Sequence, residues 1–180
     1  MPWIGIRIHP FVVVREGEVS LDVAPPVEAY EFGFVTEADI ADLIRLEPGA
    51  NQDEINTWFR EGKLCFGVRD KSRLIAKMWC DLDEFNFAPN YRRLSTDEAY
   101  LYAAYTDPDY RGQGLAPMMR TAAYASLREI GRSKFYSYTD YFNTAARRFK
   151  AKLGAREESL RLHLALFGKW SKVFTLRRLS

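Results

Sequence analysis

At 180 residues, 47% of them hydrophobic and 28% charged, the chain can bury one sizeable core and is read as a single domain. Its 26 Lys and Arg against 24 Asp and Glu leave a formal charge of +2, too balanced for a protein that mainly neutralises a phosphate backbone, so nucleic acid is not the expected partner. Two cysteines (Cys65, Cys80) and two histidines (His9, His163) supply neither a disulfide framework nor a Cys/His zinc site, and no run nears the roughly 18 apolar residues of a membrane span.

In chain order, residues 3 to 24 alternate apolar and polar in two runs around Glu16-Gly17-Glu18, which predicts a hairpin or an edge addition ending at Pro25-Pro26. No small-residue cleavage site precedes Arg15-Glu16, so a cytoplasmic protein is expected, with no membrane partner. Tyr30 to Val35 reads as a strand. Thr36-Glu37-Ala38-Asp39 starts a helix striped by Ile40, Leu43 and Ile44 and stopped at Pro48-Gly49, and Asn51 caps a second one carrying Ile55, Trp58 and Phe59. Leu64, Phe66 and Val68 alternate toward a turn at Asp70-Lys71-Ser72, and Leu74 to Leu82 returns as the other arm of a hairpin.

Asp83 to Thr96 reads as a polar, aromatic loop before a strand from Ala99 to Thr106. Leu115, Met118, Met119, Ala122, Ala123, Leu127 and Ile130 mark the clearest helix, ended by Gly131. A strand from Phe135 to Thr139, a helix from Asn143 to Leu153, an alternating strand through Leu160, Leu162, Leu164 and Leu166, and a last strand from Val173 to Leu179 complete one mixed α/β domain. Residues 1–27 form an N-terminal strand extension and 28–180 the core.

The segment Tyr105-Thr106-Asp107-Pro108-Asp109-Tyr110-Arg111-Gly112-Gln113-Gly114-Leu115-Ala116 stands between a strand and that clearest helix. A glycine-rich turn there leaves backbone N–H groups unshielded at a helix N-terminus, where unpaired donors and the helix dipole favour an anion such as phosphate. The same arrangement also serves as plain structure in many α/β proteins. No Gly-Lys-Ser/Thr marks a P-loop, and the three spaced glycines of a dinucleotide fold are missing.

Arg111-x-x-Gly114-x-Ala116 resembles the pyrophosphate motif Gln/Arg-x-x-Gly-x-Gly/Ala of the Gcn5-related N-acetyltransferases (GNAT). Asn143, Ala146, Phe149, Leu153 and Gly154 are similar to that family's downstream pattern, Asn-x-x-Ala-x-x-Phe closed by Leu-Gly. Both stand in the right order, each on a helix, with one strand between. The resemblance implies the acyl-CoA N-acyltransferase fold: a mixed, mainly antiparallel central sheet, splayed at the cofactor site, with helices on both faces. It implies acetyl-CoA as cosubstrate, no metal, and attack of a primary amine on the thioester in a ternary complex.

By the same resemblance, backbone groups of Ala104, Tyr105 and Thr106 bond the pantetheine arm. Arg111, Gly112, Gln113, Gly114, Leu115 and Ala116 hold the pyrophosphate, with Asn143 and Phe149 on the other side. Pro117 withholds one N–H but suits a first helical turn. Glu98 is the candidate base, because it shares a strand face with Tyr100 and Tyr102 unless a bulge intervenes. The family often has a tyrosine acid one residue after the motif phenylalanine. That position is Lys150, expected on a solvated helix face or else as a cation for the thiolate, which leaves Tyr138 and Tyr141 as candidate acids. Asp83 and Glu84, with Asp81, form an acidic rim for a cationic acceptor, flanked by Tyr100 and Tyr102. A small-molecule amine or amino sugar is the expected acceptor. A protein N-terminus or lysine, a non-catalytic acyl-CoA-binding module and a homodimer stay open.

Overall fold

Strand β4, Arg73–Asp81, is buried from Leu74 onward, and its two faces feed two separate cores. In the computed structural model, which describes residues 5–17, 30–87 and 90–179, the strand lies inside an eight-stranded sheet. Its neighbours on one side are β3 (Leu64–Asp70) and β2 (Tyr30–Val35), and on the other β7 (Glu98–Thr106). Ile75, Ala76, Met78 and Cys80 pack with Leu115, Met119, Ala123 and Leu127 of α3 (Leu115–Glu129). Leu74 and Trp79 pack with Leu43, Leu46 and Ile55 of α1 (Ile40–Leu46) and α2 (Gln52–Arg60). From Ala76 onward this is the period-two alternation of a sheet covered on both faces. A bulge at Ile75, between Ala76↔Val68 and Leu74↔Arg69, puts Ile75 on the same face as Ala76 and Leu74 on the other. Each fully buried Leu or Ile contributes about 1.5–3 kcal/mol.

The other half of the sheet continues as β8 (Lys134–Asp140), β1 (Ile6–Glu16), β9 (Arg156–Leu166) and β10 (Trp170–Arg178). Here the structure corrects the sequence reading. Ile6–Glu16 is one interior strand, antiparallel to β8 through Phe11↔Asp140 to Glu16↔Phe135 and to β9 through Ile6↔Leu166 onward, and adds to no edge. The run Phe11-Val12-Val13-Val14 is wholly buried, as a strand covered on both faces requires. The proposed second arm, residues 18 to 24, and Pro25-Pro26 lie outside the described residues.

Two smaller corrections concern local structure. The expected loop from Asp83 holds a two-stranded ribbon, β5 (Glu84–Phe87) and β6 (Asn90–Arg93). The helix predicted from Thr36 opens with a 3₁₀ turn over Glu37–Asp39, and the Thr36/Asp39 capping box forms as expected. Strands β7 and β8 are the one parallel pair among the described strands, which makes the sheet mixed but mainly antiparallel.

Candidate active site

Strands β7 and β8 pair only at Glu98↔Lys134, Ala99↔Phe135 and Tyr100↔Tyr136. Beyond Tyr100 they diverge, so that edge of β7 from Leu101 onward has no strand neighbour among the described residues while its other edge stays paired with β4 to Thr106 across one bulge. A cavity of about 640 Å³ occupies the opening, lined by Tyr100 to Ala104 on one side and by Tyr138 to Asp140 and Asn143, Ala146 and Lys150 on the other. The last three lie at the start of and along α4 (Thr144–Lys152), which Asn143 caps by accepting from the Ala146 N–H at 3.0 Å.

Strand β7 is not regular. Trp79 faces Tyr102 and Lys77 faces Tyr105, so β7 carries one extra residue, and Ala103 sits there at φ +46°. A non-glycine residue in that region is strained by about 1–2 kcal/mol and needs a reason to stay. The buried Lys77 ammonium supplies one: it donates to the Ala103 carbonyl at 2.8 Å and pairs with Glu47 at 2.8 Å. The bulge lies past Tyr102, so Glu98, Tyr100 and Tyr102 do share a face.

At the far end of β7 the glycine turn forms as the sequence suggested. Gly112 and Gly114 adopt φ +78° and +76°, a left-handed backbone that side chains resist, and Gly114 is the N-cap of α3. The first helical bond is Met118 N–H to Gly114 O at 3.4 Å, so the N–H groups of Leu115 and Ala116 precede the ladder. The Gln113 amide braces the turn against Asp109 O, and Arg111 reaches back to Thr106 O at 3.1 Å and lies 5.5 Å over the Tyr105 ring. A second cavity, about 590 Å³, is lined by Thr106, Arg111, Gly112, Gly114, Leu115 and Ala116 on this side. Phe149, Arg148 and Lys152 of α4 close it; the last two are cations the sequence reading did not single out.

On the other flank Trp58, Tyr100 and Tyr102 form an aromatic wall, with Tyr100 and Tyr102 stacked at 5.1 Å and Trp58 edge-on to Tyr102 at 5.5 Å. Glu54, Asp81 and Asp140 bring carboxylates to the first cavity. The phenol oxygen of Tyr102 is buried and has no hydrogen-bond partner among the described residues. Asp83 and Glu84 line an adjoining groove with Glu61, and the buried Asp81 belongs to both spaces. Asp81 also orders the ribbon, accepting from the Asp83 and Glu84 N–H groups at 2.9 Å.

The remaining candidates fall elsewhere. Glu98 lies at the paired end of β7, outside the cavity lining, bound by Arg92 at 2.6 Å and the Ser95 N–H at 2.9 Å. Burial raises its pKa, but the Ser95 N–H and Arg92 outweigh that and hold the carboxyl below its usual range, a poor state for a base. Tyr138 lines the cavity as a neutral phenol, its pKa raised by burial and by the Asp140 carboxylate. Tyr141 lies past β8, outside the lining, with the Arg147 guanidinium 4.8 Å from its ring centroid. Cys65 and Cys80 are buried, and burial pushes the Cys65 thiol up to about 12 and Cys80 up as well, so neither is an activated nucleophile.

Lys150 is the largest departure. It is 6% exposed rather than solvated, and its ammonium donates to Ser137 Oγ at 2.7 Å, Thr139 Oγ1 at 2.6 Å and Tyr138 O at 3.0 Å. Beneath it lies Glu16 of β1, 1% exposed, bonded by Arg120, Tyr124 and Ser137 and 3.5 Å from the Lys150 nitrogen. Burial would raise Glu16, but Arg120 and Lys150 outweigh it and keep the carboxyl below its usual range. Burial takes Lys150 the other way, down to about 8, against the pull of Glu16. Four elements, β1, α3, β8 and α4, meet in this cluster.

A sequence model of the acetyltransferase (GNAT) family matches residues 29–155, most of the chain. The chain belongs to the GNAT family. Among solved structures, a GNAT-family protein from Novosphingobium aromaticivorans DSM 12444 superposes with a TM-score of 0.62 at 22% identity, over 90% of this chain and 67% of that one. The ribosomal-protein-S18-alanine N-acetyltransferase of Escherichia coli gives 0.56 at 18%, over 69% of this GNAT chain and 76% of its own. AAC(6')-Iy, bound to the bisubstrate analogue CoA-S-monomethyl-acetylneamine, gives 0.56 at 16%, over 69% and 89%. At such identities the likeness is one of fold. A search of curated proteins found no match.

Proposed function

We propose that this GNAT protein transfers an acetyl group from acetyl-CoA to the primary amine of a small molecule or amino sugar, by direct attack in a ternary complex. One observation carries the reading: β7 parts from β8 on the same strand that leads into a turn ending in free helix N–H groups. The open edge of β7 at Ala104, Tyr105 and Thr106 receives the pantetheine amides as a sheet edge receives a strand. The N–H groups of Gln113, Gly114, Leu115 and Ala116 take the diphosphate, and Arg111, Arg148 and Lys152 offset its charge. Asn143 and Phe149 close the other side. The N–H of Ala104, in the bulge, stabilises the oxygen of the attacked carbonyl.

The acceptor enters between the Trp58, Tyr100 and Tyr102 rings and the carboxylates of Glu54 and Asp81, a setting that suits an ammonium group. Asp83 and Glu84 extend that negative potential along the adjoining groove. The amine loses its proton to water in the open cavity, since Glu98 is committed to Arg92. A fold neighbour bound to a CoA-linked bisubstrate analogue supports a CoA cosubstrate and a small acceptor.

The test is CoA release from acetyl-CoA with a panel of neamine, spermidine and an alanyl peptide, beside acetyl-CoA titrations. Release with neamine or spermidine, and loss of acetyl-CoA affinity by at least about tenfold in Gly114→Glu, are expected, because a carboxylate at that N-cap repels the phosphates. Tight binding with no turnover on any amine would identify a non-catalytic module, and turnover on the peptide alone a protein acetyltransferase.

A further inference from the structure

The three N–H bonds of the Lys150 ammonium end on three oxygens, and these oxygens are not equivalent. The Tyr138 carbonyl has no hydrogen to pass on. The Ser137 hydroxyl spends its own on Glu16. The Thr139 hydroxyl accepts from Lys150, lines the cavity, and has no acceptor for its hydrogen among the described residues. A buried donor left over beside an open cavity is a donor for what fills it. The charges of the buried cluster agree: Glu16 carries one negative charge against Arg120 and Lys150, which leaves a net positive charge behind the Thr139 hydroxyl to favour an anion forming beside it, with the Asp140 carboxylate farther along the same wall opposing it.

We propose that Thr139 protonates the departing CoA thiolate and that Lys150 resupplies Thr139, an inference that rests on the acetyl-transfer reading above. As the amine nitrogen bonds to the carbonyl carbon, the carbon–sulfur bond breaks with its electron pair left on sulfur. The Thr139 O–H proton passes to that sulfur, and a Lys150 N–H proton passes to Thr139 Oγ1, leaving a neutral amine. The acceptor nitrogen sheds its extra proton to cavity water, and Lys150 regains one from solvent when CoA leaves. Amine and acetyl-CoA thus become amide and free CoA, with no charge or proton unaccounted for. Thr139 touches the leaving group; Lys150 acts through it.

The groups acting on Lys150 suit this duty. Glu16 from β1 raises its pKa, Arg120 from α3 lowers it, and burial lowers it most, to about 8. Burial keeps Tyr124 and Cys80, which adjoin the same cluster, neutral, and Tyr138 and Asp140 share its wall of the cavity. A donor whose pKa lies near that of an ordinary thiol, about 8.5, passes a proton with little bias either way.

Wild type, Thr139→Val, Thr139→Ser and Lys150→Arg are assayed for CoA release with the best amine of the panel, across pH and at saturating substrates. In wild type kcat should fall as pH rises through about 8, where Lys150 loses its proton. Thr139→Val should lower kcat by about a hundredfold with acetyl-CoA affinity intact, and Thr139→Ser should restore most of it. Lys150→Arg should lose the alkaline limb, because a guanidinium does not titrate there. Unchanged kcat in Thr139→Val, or an alkaline limb that persists in Lys150→Arg, overturns the proposal. Should Lys150→Arg not fold, the wild-type pH profile and the Thr139 pair decide. A wild type that releases no CoA with any amine overturns the acetyl-transfer reading and this proposal with it, whereas an active wild type with indifferent variants overturns this proposal alone.

Discussion

Lys77 on β4 and Lys150 on α4 are both buried beside the cleft, 4% and 6% exposed, yet they are held in opposite ways. Lys77 pairs with Glu47, whose side chain keeps 36% of its exposure, and spends its charge on one backbone oxygen, the Ala103 carbonyl. Lys150 shares its carboxylate, Glu16, with a second buried cation, Arg120, and both partners are almost wholly buried. The first arrangement fixes a strained backbone at little electrostatic risk. The second makes the fold depend on one carboxylate, because removing a partner from a buried ion cluster leaves charge stranded without solvent.

Glu16→Gln should break the comparison most visibly. It strands Arg120 and Lys150, and a loss of about 3–5 kcal/mol is expected in denaturant unfolding, enough to unfold a marginal domain. Glu47→Gln, the matching change on the other side, should cost no more than about 1 kcal/mol because its carboxylate is partly solvated. Equal losses from the two would show that the lysines are held alike.

Lys77→Met should act on rate more than on stability. Freed from the ammonium, the Ala103 bulge relaxes, and a shift of about 1 Å in the strand proposed to hold the thioester is worth up to about a hundredfold in kcat. Partial recovery in the double variant with Ala103→Gly, which tolerates the positive φ, would tie the loss to the bulge. A KM change for acetyl-CoA without a kcat change would argue against it.

Tyr102→Phe removes a buried hydroxyl with no hydrogen-bond partner among the described residues. Stability should hold or rise by about 1 kcal/mol, while the acceptor KM rises; a fall in stability would mean the hydroxyl has a structural partner.

The last comparison is in pH. Lys150 titrates near 8 when folded and near 10.4 when unfolded, so between those values the unfolded chain binds more protons. Burying this charged lysine therefore costs stability below pH 8, and the cost fades as pH rises toward 10.4. That gain, read from unfolding curves, should vanish in Lys150→Met, whereas Lys77→Met should keep it.

Legibility in the sequence followed the range of the interaction. The Gly112 and Gly114 turn, the Thr36 and Asn51 caps and the α3 stripe are set by neighbouring residues, and all were readable. The ribbon inside Asp83 to Thr96 was missed because each arm has four residues, too few to show a period. The wrong edge assignment of β1 had a visible corrective: Phe11 to Val14 is an unbroken apolar run, the mark of a strand buried on both faces.

Alone, the sequence determined the family motifs, the glycine turn and the order of the longer helices and strands, because these rest on local backbone preference and periodicity. Only the tertiary structure decided that Glu98 is tied to Arg92, that Ala103 bulges over Lys77, and that Lys150 lies buried rather than solvated. The reason is distance along the chain. Glu16 meets Arg120, Ser137 and Lys150 across more than a hundred residues, and no local pattern records a charge whose partners arrive from three other elements.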